Sequence, residues 1–150
     1  MKIIIFSDLH DNIENWEKLH KHLKKENIKN LIFLGDLCKE ETLKRIKNDY
    51  KHKLYLVKGN ADLYKDYKIK KQEFIDINNV KIAFCHFPDK AKLIALNNDL
   101  DFIFYGHTHT PWLEKIKNTY LINPGNLNDQ AFSTFALLNL TNKNIELKKL

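Results

Sequence analysis

Five short apolar runs, each followed within a few residues by glycine, aspartate, asparagine or histidine, constrain this chain more than any other feature. Residues 2–6, 28–34, 53–57, 81–85 and 101–105 are rich in Ile, Leu, Val and Phe and alternate little with polar residues. Such runs suit strands buried on both faces. Between the first two, Ile13, Trp16, Leu19, His20 and Leu23 recur at three-four spacing. That stripe predicts a helix over 12–26, with Asp11 or Asn12 as its N-cap. Residues 42–49, with Leu43, Ile46 and Lys47 on one side, and residues 90–97 predict two shorter helices. Alternating strand and helix is the pattern of a parallel sheet with helical crossovers.

The second half reads differently. Residues 72–77 and 80–85 flank Asn78-Asn79, a two-residue turn of suitable chemistry for a hairpin. Residues 112–116 and 120–123, and then 134–140 and 145–150, make two further hairpin candidates. A single sheet does not easily take so many strands in 150 residues. The expected fold is therefore α/β: a two-sheet β-sandwich flanked by helices, in one domain over residues 1–150.

Composition narrows the class of protein. Hydrophobic residues make up 43% and charged residues 29%, with four Gly and three Pro, which excludes a disordered or fibrous chain. The longest purely apolar runs, such as 3–6 and 31–34, are four residues, against the ~20 that span a bilayer. The chain enters a strand-like run directly and meets Ser7, Asp8 and His10 at once, unlike a secretory leader. A soluble, cytoplasmic protein with no membrane partner is expected. Cys38 and Cys85 form no Cys-x-x-Cys pair, which suits a reducing compartment and argues against a thiolate zinc site. The net charge is +6, yet Arg45 is the single arginine among 25 basic residues, and the lysines spread along the whole chain. That distribution describes a solvated surface better than a nucleic-acid footprint.

The residues that follow the apolar runs carry the chemistry. They are Asp8 and His10; Gly35 and Asp36; Gly59, Asn60 and Asp62; His86; and Gly106, His107 and His109. Ligands of α/β proteins gather at the carboxyl ends of strands. Asp8 and His10, like His107 and His109, stand two apart, and in an extended segment such pairs project to one side. Glycine just before a ligand permits a sharp turn and a close approach. Singly, each feature is ordinary: an Asp-x-His is a cap with a surface histidine, and Gly-Asp is a turn. His20, His22 and His52 lie on helical or surface-like segments and are read as structural or solvated. Together, seven converging O and N donors exceed one tetrahedral site and suit two cations ~3.5–4 Å apart.

In order, these residues resemble the five motifs of the calcineurin-like metallophosphoesterase superfamily. Asn123-Pro124-Gly125-Asn126 is similar to a stretch that follows the last motif in its small single-domain phosphodiesterase branch. The resemblance runs from Asp8 to Gly125 and implies a two-sheet sandwich flanked by helices, four layers deep. It implies one metal held by Asp8, His10 and His109, a second held by Asn60, His86 and His107, and Asp36 bridging them. It further implies that a hydroxide bridging the two divalent transition-metal ions attacks a phosphodiester. Manganese is the first candidate ion, with nickel, iron, zinc or cobalt as alternatives. Asp36, Asn60, Asp62 and His86 would take catalytic parts, Asp62 by orienting a histidine ligand or a metal-bound water, while Asn60 and His10 would contact the substrate. The implied substrate is a small or nucleotide-like phosphoester; a phosphomonoesterase and a non-catalytic scaffold of the same fold are the alternatives. Exposed aromatics such as Trp112 leave a homodimer contact open.

Three departures stand out. Ala61 occupies a position where many family members have a histidine thought to protonate the leaving group, so poor leaving groups should be cleaved slowly. Pro88 replaces a second imaginable imidazole near His86. The stretch from Asn60 to His86 is short, and a helix covering the site in longer relatives is expected to be missing. It is crowded by Lys65, Lys68, Lys70 and Lys71, either a solvated loop or an attractor of anions.

Overall fold

The computed structural model describes residues 1–64 and 68–150, so Lys65 of the lysine cluster lies outside the described residues. Strands β1 (Lys2–Phe6), β2 (Asn30–Phe33) and β3 (Lys53–Leu56) pair in parallel, joined by helices α1 (Ile13–Lys25) and α2 (Glu40–Asp49). A second sheet follows: β4 (Gln72–Ile77), β5 (Val80–Cys85), β6 (Phe102–Phe104), β7 (Trp112–Ile116) and β8 (Thr119–Asn123), with helix α3 (Pro88–Asn97) after β5. The chain then returns to the first sheet as β9 (Thr134–Asn139) and β10 (Asn144–Lys149). The two five-stranded sheets run β10-β9-β1-β2-β3 and β4-β5-β6-β8-β7. The three expected hairpins, β4-β5, β7-β8 and β9-β10, all form.

Period-two side-chain alternation explains the layers. In β1, Ile3 and Ile5 enter the apolar layer between the sheets, with Ile32, Phe84, Phe104 and Leu138. Ile4 and Phe6 face the other way and pack with Trp16, Leu19, Leu43 and Ile46 of α1 and α2. On the far side, Ala91, Ile94 and Ala95 of α3 cover Ala83, Ile103 and Leu121 of the second sheet. The result is the expected α/β/β/α sandwich. β1 reads as an unbroken apolar run because both its faces are buried, each large side chain contributing ~1.5–3 kcal/mol. Among the described residues no helix is long and apolar enough to cross a membrane, and none lies between Asn60 and His86.

Local differences have local causes. Asn12, not Asp11, caps α1, its side chain accepting from the Asn15 N–H at 3.1 Å. Asp11 instead accepts from the Lys39 N–H and the Thr42 hydroxyl at the start of α2. That helix starts at Glu40, and Thr42 rather than Lys47 joins Leu43 and Ile46 on its buried face. α3 starts two residues early at Pro88, because a missing N–H costs nothing in a first helical turn.

A single carboxylate ties α1 to α2. Asp49 Oδ2 accepts from the buried Trp16 indole at 2.9 Å and from Arg45 Nε at 2.7 Å. Partial burial works to raise the Asp49 pKa, but the bonds from Arg45 and Trp16 outweigh it and the pKa is lowered. Its stabilisation is present above the ordinary carboxylate range and is lost as pH falls through the lowered pKa. Asp49→Ala, leaving the indole N–H unpaired, is expected to cost ~1–3 kcal/mol at neutral pH. Urea unfolding of both proteins should show that gap at pH 7 and a narrowing as pH drops below about 3.9.

Candidate metal centre

The parallel order of β1, β2 and β3 puts the residues that follow them on one edge, and β5 and β6 do the same for the second sheet. Bonds between the edges staple them together, among them that of the His107 N–H, which donates to Asp8 Oδ2 at 3.0 Å. All seven expected ligands meet there. His109 Nε2 lies 3.2 Å and His10 Nε2 3.8 Å from Asp8 Oδ1, and the two imidazole nitrogens are 3.3 Å apart. Beside them, Asn60 Oδ1 lies 3.1 Å from His86 Nε2 and 3.0 Å from His107 Nδ1. Asp36 Oδ2 falls between the groups, 3.4 Å from His86 Nε2 and 3.9 Å from His10 Nε2. Donors of one ion bound at ~2.0–2.2 Å stand ~3–4 Å apart, so the spacing fits cation coordination.

One atom decides that the residues fit a metal. Asp8 Oδ1 is fully buried and has no hydrogen-bond donor, although its carboxylate is aimed into this donor cluster. A buried carboxylate oxygen without a donor is costly, and a cation would satisfy it. The donor set is oxygen and imidazole, with no thiolate. The Cys38 thiol is pushed up to about 11 by burial and by the charges of Asp11, Asp36 and Asp62, and stays protonated.

The supporting bonds set the direction of each donor. His86 Nδ1 meets the Leu34 carbonyl at 2.9 Å, which turns Nε2 toward Asp36 and Asn60. His10 Nδ1 lies 3.4 Å from Cys38 Sγ, leaving Nε2 to face Asp8. Asp36 Oδ1 accepts from the Ala61 N–H at 2.8 Å. Burial resists charge on both Asp36 and His86, yet their mutual bond and nearby charges lower the Asp36 pKa and raise that of His86.

Two expectations need correction. Among the described residues Asp62 meets no histidine, the first of the two parts expected of it: its carboxylate accepts from the backbone N–H groups of Asp36, Leu37, Cys38 and Gly59, at 2.7–3.0 Å. It knots the β2 and β3 loops together beneath the ligands. The i, i+2 pairs do not converge through extended backbone either. Asp8, His10, Asp36, His107 and His109 all adopt left-handed φ between 46° and 70°. Such residues cost ~1–3 kcal/mol each and persist where surrounding bonds over-determine them. Here the Asp8 N–H donates to Gly35 O and the His10 N–H to Asp36 O. Cys38, not singled out from the sequence, backs His10; its place two residues after Asp36 was the available signal. The Asn-Pro-Gly-Asn stretch also finds a part, Asn123 binding Gly106 O and Thr108 Oγ1, and Asn126 binding His109 O. It clamps the His107-Thr108-His109 loop from below.

An α/β/β/α sandwich with a candidate metal site at the shared mouth of its two sheets defines a class, the metal-dependent hydrolases of this architecture. Within it, residues 1–143 match the model of the calcineurin-like phosphoesterase superfamily domain, and the chain belongs to that superfamily. It is 33% identical over 107 residues to a probable metallophosphoesterase, MJ0623, of Methanocaldococcus jannaschii, a match covering 66% of this chain and only 53% of that relative. It is 30% identical over 141 residues to the phosphodiesterase MJ0936 of the same organism, covering 83% of each. The solved structure of an archaeal phosphodiesterase superposes with a TM-score of 0.87 at 22% identity, covering 100% of both chains.

Close packing at the glycines makes the site testable. A Cβ on Gly59 would stand 2.1 Å from Asp36 Oδ1, inside the carboxylate that separates the two donor groups. Gly59→Ala should displace Asp36 and lower metal content after manganese loading, read by elemental analysis, while circular dichroism shows the sandwich retained.

Proposed function

We propose that this protein is a metal-dependent phosphodiesterase. Asp8, His10 and His109 would hold one divalent transition-metal ion, Asn60, His86 and His107 would hold a second, and Asp36 would be shared between the two. The observation that carries this reading is the unsatisfied, buried Asp8 Oδ1 amid imidazole donors. Manganese is the first choice, and nickel, iron, zinc or cobalt suit the same donors, because mixed imidazole and carboxylate sets favour these ions over magnesium alone. Bound there, the ions would supply a water-derived nucleophile at neutral pH and neutralise phosphoryl oxygens.

The chain's own groups do the rest. Asn60 turns Oδ1 toward His86 and His107, so its exposed amide Nδ2, with no partner among the described residues, donates to a phosphoryl oxygen. His10, part-exposed at the mouth, approaches the substrate from the other side. Asp62 acts through the loops it ties and is a positioning residue. The Ala61 methyl offers no proton where a leaving group would depart, so esters of acidic alcohols are the better substrates.

Manganese-supplemented protein should hydrolyse bis-p-nitrophenyl phosphate faster than p-nitrophenyl phosphate. His109→Ala should cut that turnover at least ~100-fold, beyond the range seen for groups that merely orient ligands, and lower metal content. Full turnover with unchanged metal would overturn the assignment. Ala61→His should raise activity on alkyl esters more than on aryl esters, which parallel rate measurements on the two would show.

A further inference from the structure

Next to the loop that carries two of the expected ligands lies a groove that the chemistry above does not use. Thr108 stands between the ligands His107 and His109, and it lines a cavity of about 410 Å³ with Pro88, Tyr105 and Trp112. A second route joins the same places: Phe87, next to Pro88, lies with its ring 5.1 Å from His86 and 5.0 Å from His107, edge-on to both. The cavity falls within the ~300–1,000 Å³ typical of small-molecule sites.

Its walls have a definite chemistry. Trp112 opens β7 with 53% of its surface exposed and makes no ring contact with another aromatic side chain among the described residues. An indole left half in water is a vacant stacking face. Asp89 and Lys92 project from α3 into the same space, and neither has an ion-pair partner among the described residues. With the Glu114 carboxylate and the hydroxyls of Thr108 and Thr110 also in the lining, a flat apolar face is bordered by both acceptors and donors, as a planar, hydrogen-bonding ring requires.

We propose that this cavity is the substrate-selecting part of the site and takes a flat aromatic substituent of the phosphoester, a nucleobase or an aryl group, stacked on Trp112. The proposal rests on the phosphodiesterase reading for the position of the phosphate, but the binding of the ring does not need turnover. Trp112 is then a specificity-determining residue, and Phe87 walls the passage from the ring to the ions.

The test uses the manganese-loaded protein of residues 1–150 and two diesters with one leaving group, bis-p-nitrophenyl phosphate and methyl p-nitrophenyl phosphate. Trp112→Ala is expected to lower the preference for the bis-aryl ester, as a ratio of kcat/KM values, at least ~5-fold, the lower end for losing one aromatic stack. Trp112→Phe should restore most of it. An unchanged ratio would overturn the proposal. Binding is read separately by fluorescence, since the chain has two tryptophans and Trp16 is fully buried. Adenosine 5′-monophosphate should quench the exposed indole in the wild type and have no such effect in Trp112→Phe. If the nucleotide quenches Trp112 but neither diester is cleaved, the phosphodiesterase reading fails and the ring subsite stands. If both are cleaved with no quenching and no change of ratio, the reading stands and the subsite fails.

Discussion

Negative charge buried at the meeting of two sheets is the constraint on which the rest of this structure depends. Asp8 and Asp36 are both buried, and both aim carboxylate oxygens into the same small volume. Such a pair survives burial only with compensating partners. Backbone N–H groups of His107 and Ala61 take one oxygen of each. The other oxygens are left to three imidazoles and, in the proposed state, to cations. The two faces of the sandwich are stapled at that same point, so fold and site share one set of bonds.

The loops are built to hold this arrangement against its cost. Five donors sit in left-handed backbone, a conformation that L-residues avoid unless the surroundings leave no alternative. Asp62 supplies much of that compulsion by gathering four amides of two loops onto one carboxylate. Gly59 and Gly106 let the loops close, because a Cβ at either would run into Asp36, Ser7 or Asp8. Strain of this kind, paired with dense local bonding, is characteristic of a place where geometry matters more than stability.

Around that centre the rim is uneven. On one side stand the solvated imidazoles of His10 and His109; on the other, Phe87 and the Trp112 groove. In the proposed reaction, Ala61 leaves the departure path without a side-chain acid. In the proposed enzyme, selection therefore shifts from proton transfer toward the fit and acidity of the ester group. A half-exposed tryptophan that left a dimer contact open from sequence alone takes a different meaning once it shares a cavity with Thr108, between the expected ligands His107 and His109.

The strands, the helices and the positions that follow the strands were legible from the sequence because hydrophobic periodicity is local, and because glycine, aspartate and histidine recurring at five run ends is a pattern along one dimension. What the sequence left open or incomplete shares a cause. Asp11 and Asn12 both suit a cap, and only the approach of α2 gives Asp11 another partner. Asp62 resembles a group that orients a histidine, and only loop closure shows it facing four amides. Cys38 behaves as a buried thiol until the β2 loop lays it against His10. Sequence alone thus determined which residues have the chemistry to bind cations, since donor type and strand-end position are written locally. The tertiary structure alone decided their directions, the orphaned oxygen of Asp8 and the groove beside Trp112. Those depend on contacts between segments up to about a hundred residues apart, such as Asp8 with His107, which no periodicity encodes.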